Sequence, residues 1–336
     1  MEPPASKRAR ADDALSSSEA TQYDRQIRLW GVDAQKRLRS ARLAVIGASG
    51  LAAEICKNLV LAGIGELTLI DAGTVDATDL PSNFFFNHAD IGRPRAETMV
   101  PGLQTLNPNV EIRADVAAAA GKPPPFWGSE HFDLVIATDI PLHAMAEINA
   151  SCRAGGASFF GAAVDGFVGM SFADLGTHDY IAERTIPPKD KGKEPEVVKE
   201  ECTAEFVPLA AALAQSWAGV KVTRHQSKLF FRYLVASAFE REHGRRAVGE
   251  ADMAALTEAR AAALAAVGAD VALVPDGTLA AMCRDSCQLG PVCAIVGGIV
   301  AAEVIKAISQ KDQPYNNFLF YDGVATAGQV MQIGST

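Results

Sequence analysis

The residues of this chain best suited to chemistry form a glycine-containing turn with a carboxylate about 20 positions beyond it. The turn reads Gly47-Ala48-Ser49-Gly50-Leu51-Ala52, and the carboxylate is Asp71. In a Gly-x-Gly-x-x-Gly turn the backbone approaches a phosphate closely, and an acidic residue at this spacing can bind a ribose. Ser49 replaces the middle glycine, so its Cβ would crowd a phosphate, whereas Ala52 is still small enough for helix–strand packing. The pattern predicts a nucleotide-binding fold with a compromised nucleotide site.

The segments around this turn predict a β-α-β unit. Residues 42–46 are expected to form a buried strand, 51–62 a helix that ends at Gly63 and Gly65, and 66–70 a second strand. Further strands are predicted at 110–113, 134–137, 158–161 and 317–321, with helices at 142–152 and 291–309. Alternating strands and helices indicate an α/β fold with a Rossmann-like, mostly parallel sheet that is covered on both faces.

The middle of the chain differs in residue pattern and composition, and it predicts a mainly helical insertion. Residues 167–175 alternate like an antiparallel pair, 187–201 are charged and proline-containing like a linker, and 225–242 and 251–267 are predicted helices. The expected organisation is a disordered tail (1–19), the first part of the nucleotide-type domain (20–175), the insertion (176–280) and a last part that rejoins the sheet (281–336). A capping box at Thr21 and Asp24 is predicted to begin a helix after the tail.

Composition and charge limit the classes of protein to which the chain can belong. With 336 residues, 49% of them hydrophobic, and a net charge of −9, it can bury a large core and is a poor match for nucleic acid. The apolar run 292–302 is interrupted by Glu303 and is too short to span a bilayer, so no membrane association is expected. The basic cluster Lys7-Arg8-Ala9-Arg10 is typical of nuclear import signals but also of a solvated tail. A nuclear location, with the cytoplasm as a second compartment, is the expectation.

Longer motifs give a more specific signal than the turn. They are Tyr23-Asp24-Arg25-Gln26-Ile27-Arg28-Leu29-Trp30-Gly31, Ile91-Gly92-Arg93-Pro94-Arg95-Ala96-Glu97, Leu106-Asn107-Pro108 and Pro291-Val292-Cys293-Ala294-Ile295-Val296-Gly297-Gly298. Together with the degenerate turn they resemble the ubiquitin-like-protein activating enzymes, a ThiF-type adenylation family. The last motif, with Glu303-Val304-Ile305-Lys306 and Asn316-Asn317-Phe318 after it, is similar to the smaller, cysteine-free subunits of SUMO-activating heterodimers.

The resemblance implies that the nucleotide chemistry takes place on a larger partner subunit. Catalytic members of the family bind ATP and magnesium, adenylate the C-terminal glycine of the modifier and then transfer it to a cysteine. This chain departs from them at Ser49, at Pro81-Ser82 in place of an Asn-Arg pair, and at Arg95 in place of a phosphate-binding lysine. The two Cys-x-x-Cys pairs that hold structural zinc in active partners are missing from the sequence. We therefore expect this chain to bind no cofactor itself, and ATP and magnesium to be bound by the partner.

The nucleotide-binding positions of the family can still be placed on this chain by resemblance. They are Gly47, Gly50, Asp71, Arg95 and Asp139, and together they predict a degenerate, non-functional site. Asp71 and Asp139 match the family's carboxylates for ribose and for magnesium. An aspartate at a strand end also caps the following turn, so a purely structural role is the alternative.

One cysteine matches the family's thioester motif in its neighbours but not in its electrostatics. Cys202-Thr203, with Pro208 beyond it, resembles that motif. Glu200, Glu201 and Glu205 disfavour the thiolate that a thioester cysteine needs, and the smaller SUMO-type subunits carry no catalytic cysteine. An inert loop cysteine is the preferred interpretation of Cys202.

The remaining cysteine pattern does not predict a metal site. Cys283, Cys287 and Cys293 have no fourth ligand nearby, which favours burial in helices over metal binding. Six cysteines in a large chain without a secretory signal are expected to be reduced thiols.

Arg25 is the one residue predicted to take part directly in catalysis. The resemblance implies that the arginine of the Tyr-Asp-Arg-Gln motif reaches across a pseudo-twofold dimer to the partner's ATP. There a guanidinium can neutralise the charge that develops on the leaving pyrophosphate. The alternative is a solvated helix residue, or an ion pair of Arg25 with Asp24 or Asp33.

The preferred functional prediction is a regulatory partner subunit of a heterodimeric SUMO-activating enzyme, inactive in isolation. Its predicted partners are the larger catalytic subunit and a SUMO-type modifier. One alternative is a homodimeric adenylyltransferase for a sulfur-carrier protein, against which Pro81-Ser82 counts. Another is a partner subunit for a different ubiquitin-like modifier. An NAD-dependent oxidoreductase rests on the glycine turn alone, and Ser49 would crowd its pyrophosphate.

Overall fold

The computed structural model describes residues 15–186, 196–223, 226–284 and 287–334. Its helices are α1 (Ser17–Gln22), α2 (Asp24–Trp30), α3 (Val32–Ser40), α4 (Gly50–Ala62), α5 (Arg95–Leu106), α6 (Leu142–Gly155), α7 (Leu209–Leu213), α8 (Leu229–His243), α9 (Met253–Ala266), α10 (Asp276–Arg284) and α11 (Gly290–Ser309). Its strands are β1 (Arg42–Ile46), β2 (Glu66–Ile70), β3 (Glu111–Asp115), β4 (Leu134–Thr138), β5 (Ser158–Asp165), β6 (Val168–Asp174), β7 (Thr177–Ile186), β8 (Glu196–Glu205), β9 (Phe318–Asp322) and β10 (Ala327–Met331).

The core of the fold is a sheet with the strand order β10-β9-β6-β5-β4-β1-β2-β3. The pairs from β3 through β2, β1 and β4 to β5 are parallel, and those from β5 through β6 and β9 to β10 are antiparallel. The predicted α/β fold with a Rossmann-like, mostly parallel sheet is thus confirmed. The C-terminal segment rejoins the sheet as predicted, because β9 pairs with β6.

The β1-α4-β2 unit forms from local signals that agree with each other. In β1, Leu43 and Val45 contribute to the core on one sheet face, and Ala44 and Ile46 to the core on the other. Helix α4 begins after Ser49, whose Oγ accepts a hydrogen bond from the Ala52 amide, and ends at a left-handed glycine with φ +79°.

Helix α11 packs against α4 and accounts for the most apolar run in the chain. A Cβ added at Gly297 would lie 2.8 Å from the Cβ of Glu54, so the glycine permits this close approach. By length and composition alone, α11 is the one helix of the described residues that could cross a membrane. It is longer than the apolar run 292–302, which the sequence analysis found too short to span a bilayer. More than half of it is buried inside the protein, which explains its apolar composition without a bilayer.

The predicted linker 187–201 is partly wrong. Residues 187–195 lie outside the described residues, but 196–201 belong to β8, which pairs along its length with β7. The two strands form a separate ribbon held by backbone hydrogen bonds and by cross-strand pairs such as Lys199 with Glu183, at 3.6 Å. A ribbon with much of its surface in water does not need large apolar residues, so its composition resembles that of a linker.

The helices predicted for the insertion form close to the expected positions, as α8 and α9. They do not stand apart from the sheet, since they share one hydrophobic core with it. The Phe230 ring of α8 lies 5.7 Å from the Phe318 ring and 6.4 Å from the Phe320 ring of β9, measured between centroids. The domain boundaries themselves stay a prediction.

The N-terminal region differs from the prediction in two details. Residues 17–19, assigned to a disordered tail, belong to α1, because the Ser16 and Glu19 side chains form a reciprocal capping box. The box predicted at Thr21 and Asp24 is absent, since the Thr21 hydroxyl donates to the Ser17 carbonyl instead. The basic cluster 7–10 lies outside the described residues, so its role in nuclear import stays a prediction.

Candidate functional site

The predicted site residues meet at the carboxyl ends of three neighbouring parallel strands. Gly47 follows β1, Asp71 follows β2 and Asp139 follows β4. From β1 the chain adds β2 and then β3 on one side and afterwards crosses to β4 on the other side of β1, which makes this edge the switch point where open α/β sheets bind ligands. The structure therefore brings together the residues that the sequence assigned to one site.

The glycine turn is held by side chains of the chain itself. Gly47 has φ +93°, and a Cβ there would lie 2.5 Å from Thr138 Oγ1, so only glycine fits. The Ala48 amide donates to Asp71 Oδ2 at 2.8 Å. The buried amide of Asn83 donates to the Ala48 carbonyl at 3.0 Å. These contacts fix the turn without any bound phosphate.

The N-terminus of α4, which would receive a phosphate in a nucleotide-binding fold, is also satisfied internally. Ser49 Oγ accepts from the Ala52 amide at 3.3 Å, and Gln288 Oε1 accepts from the Leu51 amide at 3.1 Å. A Cβ added at Gly50 would lie 2.6 Å from the Ser82 Cβ and 2.7 Å from the Ser82 carbonyl oxygen. Ser82 therefore packs closely against Gly50 and occupies space that a bound phosphate would need.

The predicted ribose carboxylate and the predicted phosphate-binding cation pair with each other. Arg95 Nε and NH2 donate to Asp71 Oδ1 at 3.2 and 3.1 Å, and the Gly73 amide donates to the same oxygen at 2.7 Å. Arg95 NH1 also lies 3.5 Å from Asp79 Oδ1. Asp71 is 7% exposed, and both of its oxygens accept hydrogen bonds within the chain. Neither group is left free to bind a nucleotide.

Asp139, the residue that matches the magnesium carboxylate, has internal partners on both oxygens. Its Oδ2 accepts from the Ser49 hydroxyl at 2.6 Å, and its Oδ1 accepts from the Val164 amide at 3.2 Å and lies 3.9 Å from Arg246 NH2. Burial raises the pKa of the Asp139 carboxyl, while the Arg246 charge and the Ser49 hydroxyl oppose that rise. Its φ of +56° is an uncommon conformation for a residue other than glycine.

Behind Asp139 lies a group of charged side chains that sequence reasoning did not find. Arg246 NH1 donates to Asp165 Oδ1 at 2.8 Å, and Arg232 NH1 donates to Asp165 Oδ2 at 3.2 Å. Burial raises the pKa of Glu240, which lies 3.7 Å from Arg246, to about 7. The group surrounds a cavity of about 30 Å³, room for about one water molecule.

The three residues that complete the site and that the sequence did not reveal are Asn83, Gln288 and Arg246. Asn83 follows Pro81-Ser82 directly, and Gln288 precedes the Pro291 motif, so their positions next to motifs were the available signals. Arg246 lies in no motif. Its role follows only from the way α8 packs beside the sheet.

Cysteines do not form a metal centre in the described part of the chain, and no group of three or more metal-binding side chains occurs there. Cys283 and Cys293 are buried, as predicted, and burial raises the pKa of both thiols. Cys287 is exposed, because it precedes α11 and is not within a helix. Cys202 is partly exposed on β8, opposite Tyr180 of β7, and so lies in a strand and not in the predicted loop.

Arg25 is exposed on α2 and forms no ion pair or hydrogen bond with any described residue. The alternative pairing with Asp24 does not occur, because Asp24 pairs with Arg28 at 3.0 Å. Helix α2 is anchored beside it: the Asn107 amide donates to the Tyr23 hydroxyl at 2.8 Å. Helix α2 therefore presents to solvent a guanidinium that has no partner in the described part of the chain.

The position of Arg25 separates it from the glycine turn of its own chain. The Tyr23 ring packs on Gly63, where a Cβ would lie 2.6 Å from the ring, and Gly63 ends α4. The turn lies at the other end of this helix of 13 residues, about 20 Å away at about 1.5 Å per residue. Arg25 therefore cannot serve the site of its own chain.

Comparison with known proteins gives the family. The ThiF family model matches residues 23–336. SUMO-activating enzyme subunit 1 of Rattus norvegicus is 35% identical over 341 residues, which cover 95% of this chain and 96% of that protein. The Homo sapiens protein of the same description is 35% identical over 345 residues, covering 96% and 98%. A crystal structure of E. coli MccB with MccA-N7isoASN is similar with a TM-score of 0.58 at 14% identity, covering 97% of this chain and 74% of that chain, and supports the fold alone.

The chain therefore belongs to the ThiF family. Within that family it is similar along almost its whole length to the subunit 1 proteins of SUMO-activating enzymes. The family resemblance expected from the motifs is confirmed.

Proposed function

We propose that this chain is the regulatory subunit of a heterodimeric SUMO-activating enzyme and lends Arg25 to a nucleotide bound by its larger partner. The names of its relatives support the pathway. The observation that carries the proposal is Arg25 itself, which is exposed, without a partner among the described residues, and held at the end of α4 remote from its own turn. A guanidinium that no described residue pairs with is available to a molecule that binds at this face.

The chemistry of adenylation explains why a guanidinium is useful there. Attack of the modifier's carboxylate on the α-phosphorus expels pyrophosphate, and negative charge grows on the leaving group. A planar guanidinium neutralises that charge with two parallel N–H donors. Leu29, one helical turn beyond Arg25, is 69% exposed, and contact with a partner at this face would bury it together with the arginine.

The nucleotide that reacts is then bound by the partner, because the site of this chain does not fit a nucleotide. The Leu51 amide of α4, Asp71 and Asp139 have partners within the chain, and Ser82 occupies the space beside Gly50. The same contacts count against the alternative of a homodimeric adenylyltransferase, which would need this site for its substrate.

Reconstitution of the complex tests the proposed function directly. The chain is mixed with the larger subunit, a SUMO-type modifier and Mg-ATP, and the modifier–thioester is followed on a non-reducing gel. We expect the thioester to form on the larger subunit and to require this chain. A larger subunit that forms the thioester equally fast alone would contradict the proposal.

The isolated chain is expected to bind Mg-ATP weakly or not at all. A phosphate at the N-terminus of α4 would have to displace the Gln288 and Ser49 contacts. Its own hydrogen bonds would then replace those already present and add none. Isothermal titration calorimetry measures this, with the heterodimer as the positive control. A micromolar Kd for the isolated chain, about −8 kcal/mol of binding free energy, would show that the site opens.

Replacing Cys202 by alanine is expected to leave thioester formation by the reconstituted complex unchanged. The side chain lies on the exposed ribbon opposite Tyr180 and far from any predicted nucleotide group in sequence. Thioester formation on a non-reducing gel is the measurement, and Cys287→Ala, at the other exposed thiol, is the matched control. Loss of the thioester with Cys202→Ala alone would assign the covalent step to this chain.

A further inference from the structure

Two side chains from distant parts of the sequence lie where this fold would hold the phosphate and the metal of a nucleotide. Arg246 follows α8, and Gln288 precedes α11. We call these two side chains the internal ligand pair. They lie at the two ends of the segment that contains α9 and α10, and both reach the edge where Gly47 and Asp139 meet.

Gln288 lies at the N-terminus of α4. Its Oε1 accepts hydrogen bonds from the Leu51 amide at 3.1 Å and from the Cys293 thiol at 3.6 Å. A helix N-terminus carries free amide donors and a partial positive charge, which is why it binds phosphate. The Gln288 oxygen uses a donor from which a phosphate oxygen would otherwise accept.

Arg246 lies beside Asp139 with a full positive charge. Its NH2 donates to the Asp139 carbonyl at 3.4 Å and lies 3.9 Å from the Asp139 carboxylate, while its NH1 donates to Asp165 at 2.8 Å. Magnesium requires oxygen ligands in nearly octahedral geometry. The Asp139 carboxylate already accepts from the Ser49 hydroxyl on one oxygen and from the Val164 amide on the other, and the guanidinium 3.9 Å away disfavours a second cation beside it.

We propose that the internal ligand pair replaces phosphate and metal as the groups that order this edge of the sheet. Gln288 and Arg246 would thereby fix both ends of the helical region to the glycine turn, whether or not ATP is present. The chain keeps the shape of a nucleotide-binding domain because its own side chains satisfy the groups that a ligand would satisfy. This inference concerns the free chain and does not depend on the SUMO pathway.

Hydrogen–deuterium exchange of the full chain, measured by mass spectrometry, tests the proposal. We expect Gln288→Ala and Arg246→Gln to speed amide exchange in peptides covering 47–52 at least about tenfold, because each removes a contact that holds the turn closed. Peptides from the β7–β8 ribbon should be unaffected. Mg-ATP should leave the exchange of the wild-type turn unchanged.

Matched controls separate the proposal from a general loss of stability. Arg241→Gln removes an exposed arginine from α8, shortly before Arg246, and Gln332→Ala removes an exposed glutamine, and both variants should exchange like the wild type. If Arg246→Gln unfolds the whole chain, Arg246→Lys takes its place in the test. Lysine keeps the positive charge but loses the planar pair of N–H donors, so amide exchange at 47–52 should be faster than in the wild type and slower than in Gln288→Ala. Unchanged exchange at 47–52 in both Gln288→Ala and Arg246→Gln would overturn the proposal, and so would slower exchange of the wild-type turn in Mg-ATP.

Discussion

Replacing Arg25 by alanine is expected to slow ATP–pyrophosphate exchange by the assembled heterodimer at least about tenfold. Arginines that act in this way in phosphoryl transfer contribute on the order of 10³–10⁵ in rate. The side chain has no structural partner to lose among the described residues, so the heterodimer should still assemble. Arg25→Lys should recover only part of the rate, since an ammonium cannot supply two parallel donors.

The matched control for this experiment lies on the same helix. Arg28 is also exposed, with a side chain 78% accessible, but it pairs with Asp24 of its own chain. Arg28→Ala should therefore leave the exchange rate near that of the wild type, because an exposed pair of this kind contributes little. Size-exclusion chromatography verifies assembly for each variant. An unchanged rate in an intact Arg25→Ala heterodimer would reduce Arg25 to a surface residue.

Replacing Gly47 by alanine is expected to lower the free energy of unfolding of the chain by about 3 kcal/mol. The φ of +93° is strained for any side chain, and a Cβ would lie 2.5 Å from Thr138 Oγ1, which is itself fixed by donating to the Ile46 carbonyl. Urea unfolding followed by tryptophan fluorescence measures the change. This loss should occur in the isolated chain without any nucleotide, because the glycine serves the packing of the turn.

Two further variants test the physical cause. In Thr138→Ala the nearest clashing atom is gone, so Gly47→Ala should cost less in that background, although the Thr138 carbonyl would still lie 3.0 Å away. Gly277→Ala, in α10 with no neighbour within 4 Å of the added Cβ, should be neutral or stabilise by up to about 1 kcal/mol. Equal losses for Gly47→Ala and Gly277→Ala would contradict the packing argument.

The sequence alone predicted most of the fold because the relevant signals are local. The alternation of β1, the Ser49 cap and the glycine that ends α4 all act within one or two turns of chain, and they agree with each other. The β7–β8 ribbon was missed because its polar residues gave no apolar alternation to detect, although its backbone pairs along ten residues of each strand. The capping box at the N-terminus forms at Ser16 and Glu19 and not at the predicted Thr21 and Asp24, and only the structure shows which pair the helix uses.

What the sequence by itself determined about this protein is its family, its sheet and the three strand ends at which Gly47, Asp71 and Asp139 meet. Only the tertiary structure decided what those residues contact. Gln288 reaches Leu51 across 237 residues of chain, and Arg246 reaches Asp139 across 107. No local propensity encodes such contacts, because they exist only once the helices have packed beside the sheet. The same packing places Arg25 at the far end of α4 from its own turn, and so the tertiary structure, not the motif, is what directs that arginine away from this chain's own site.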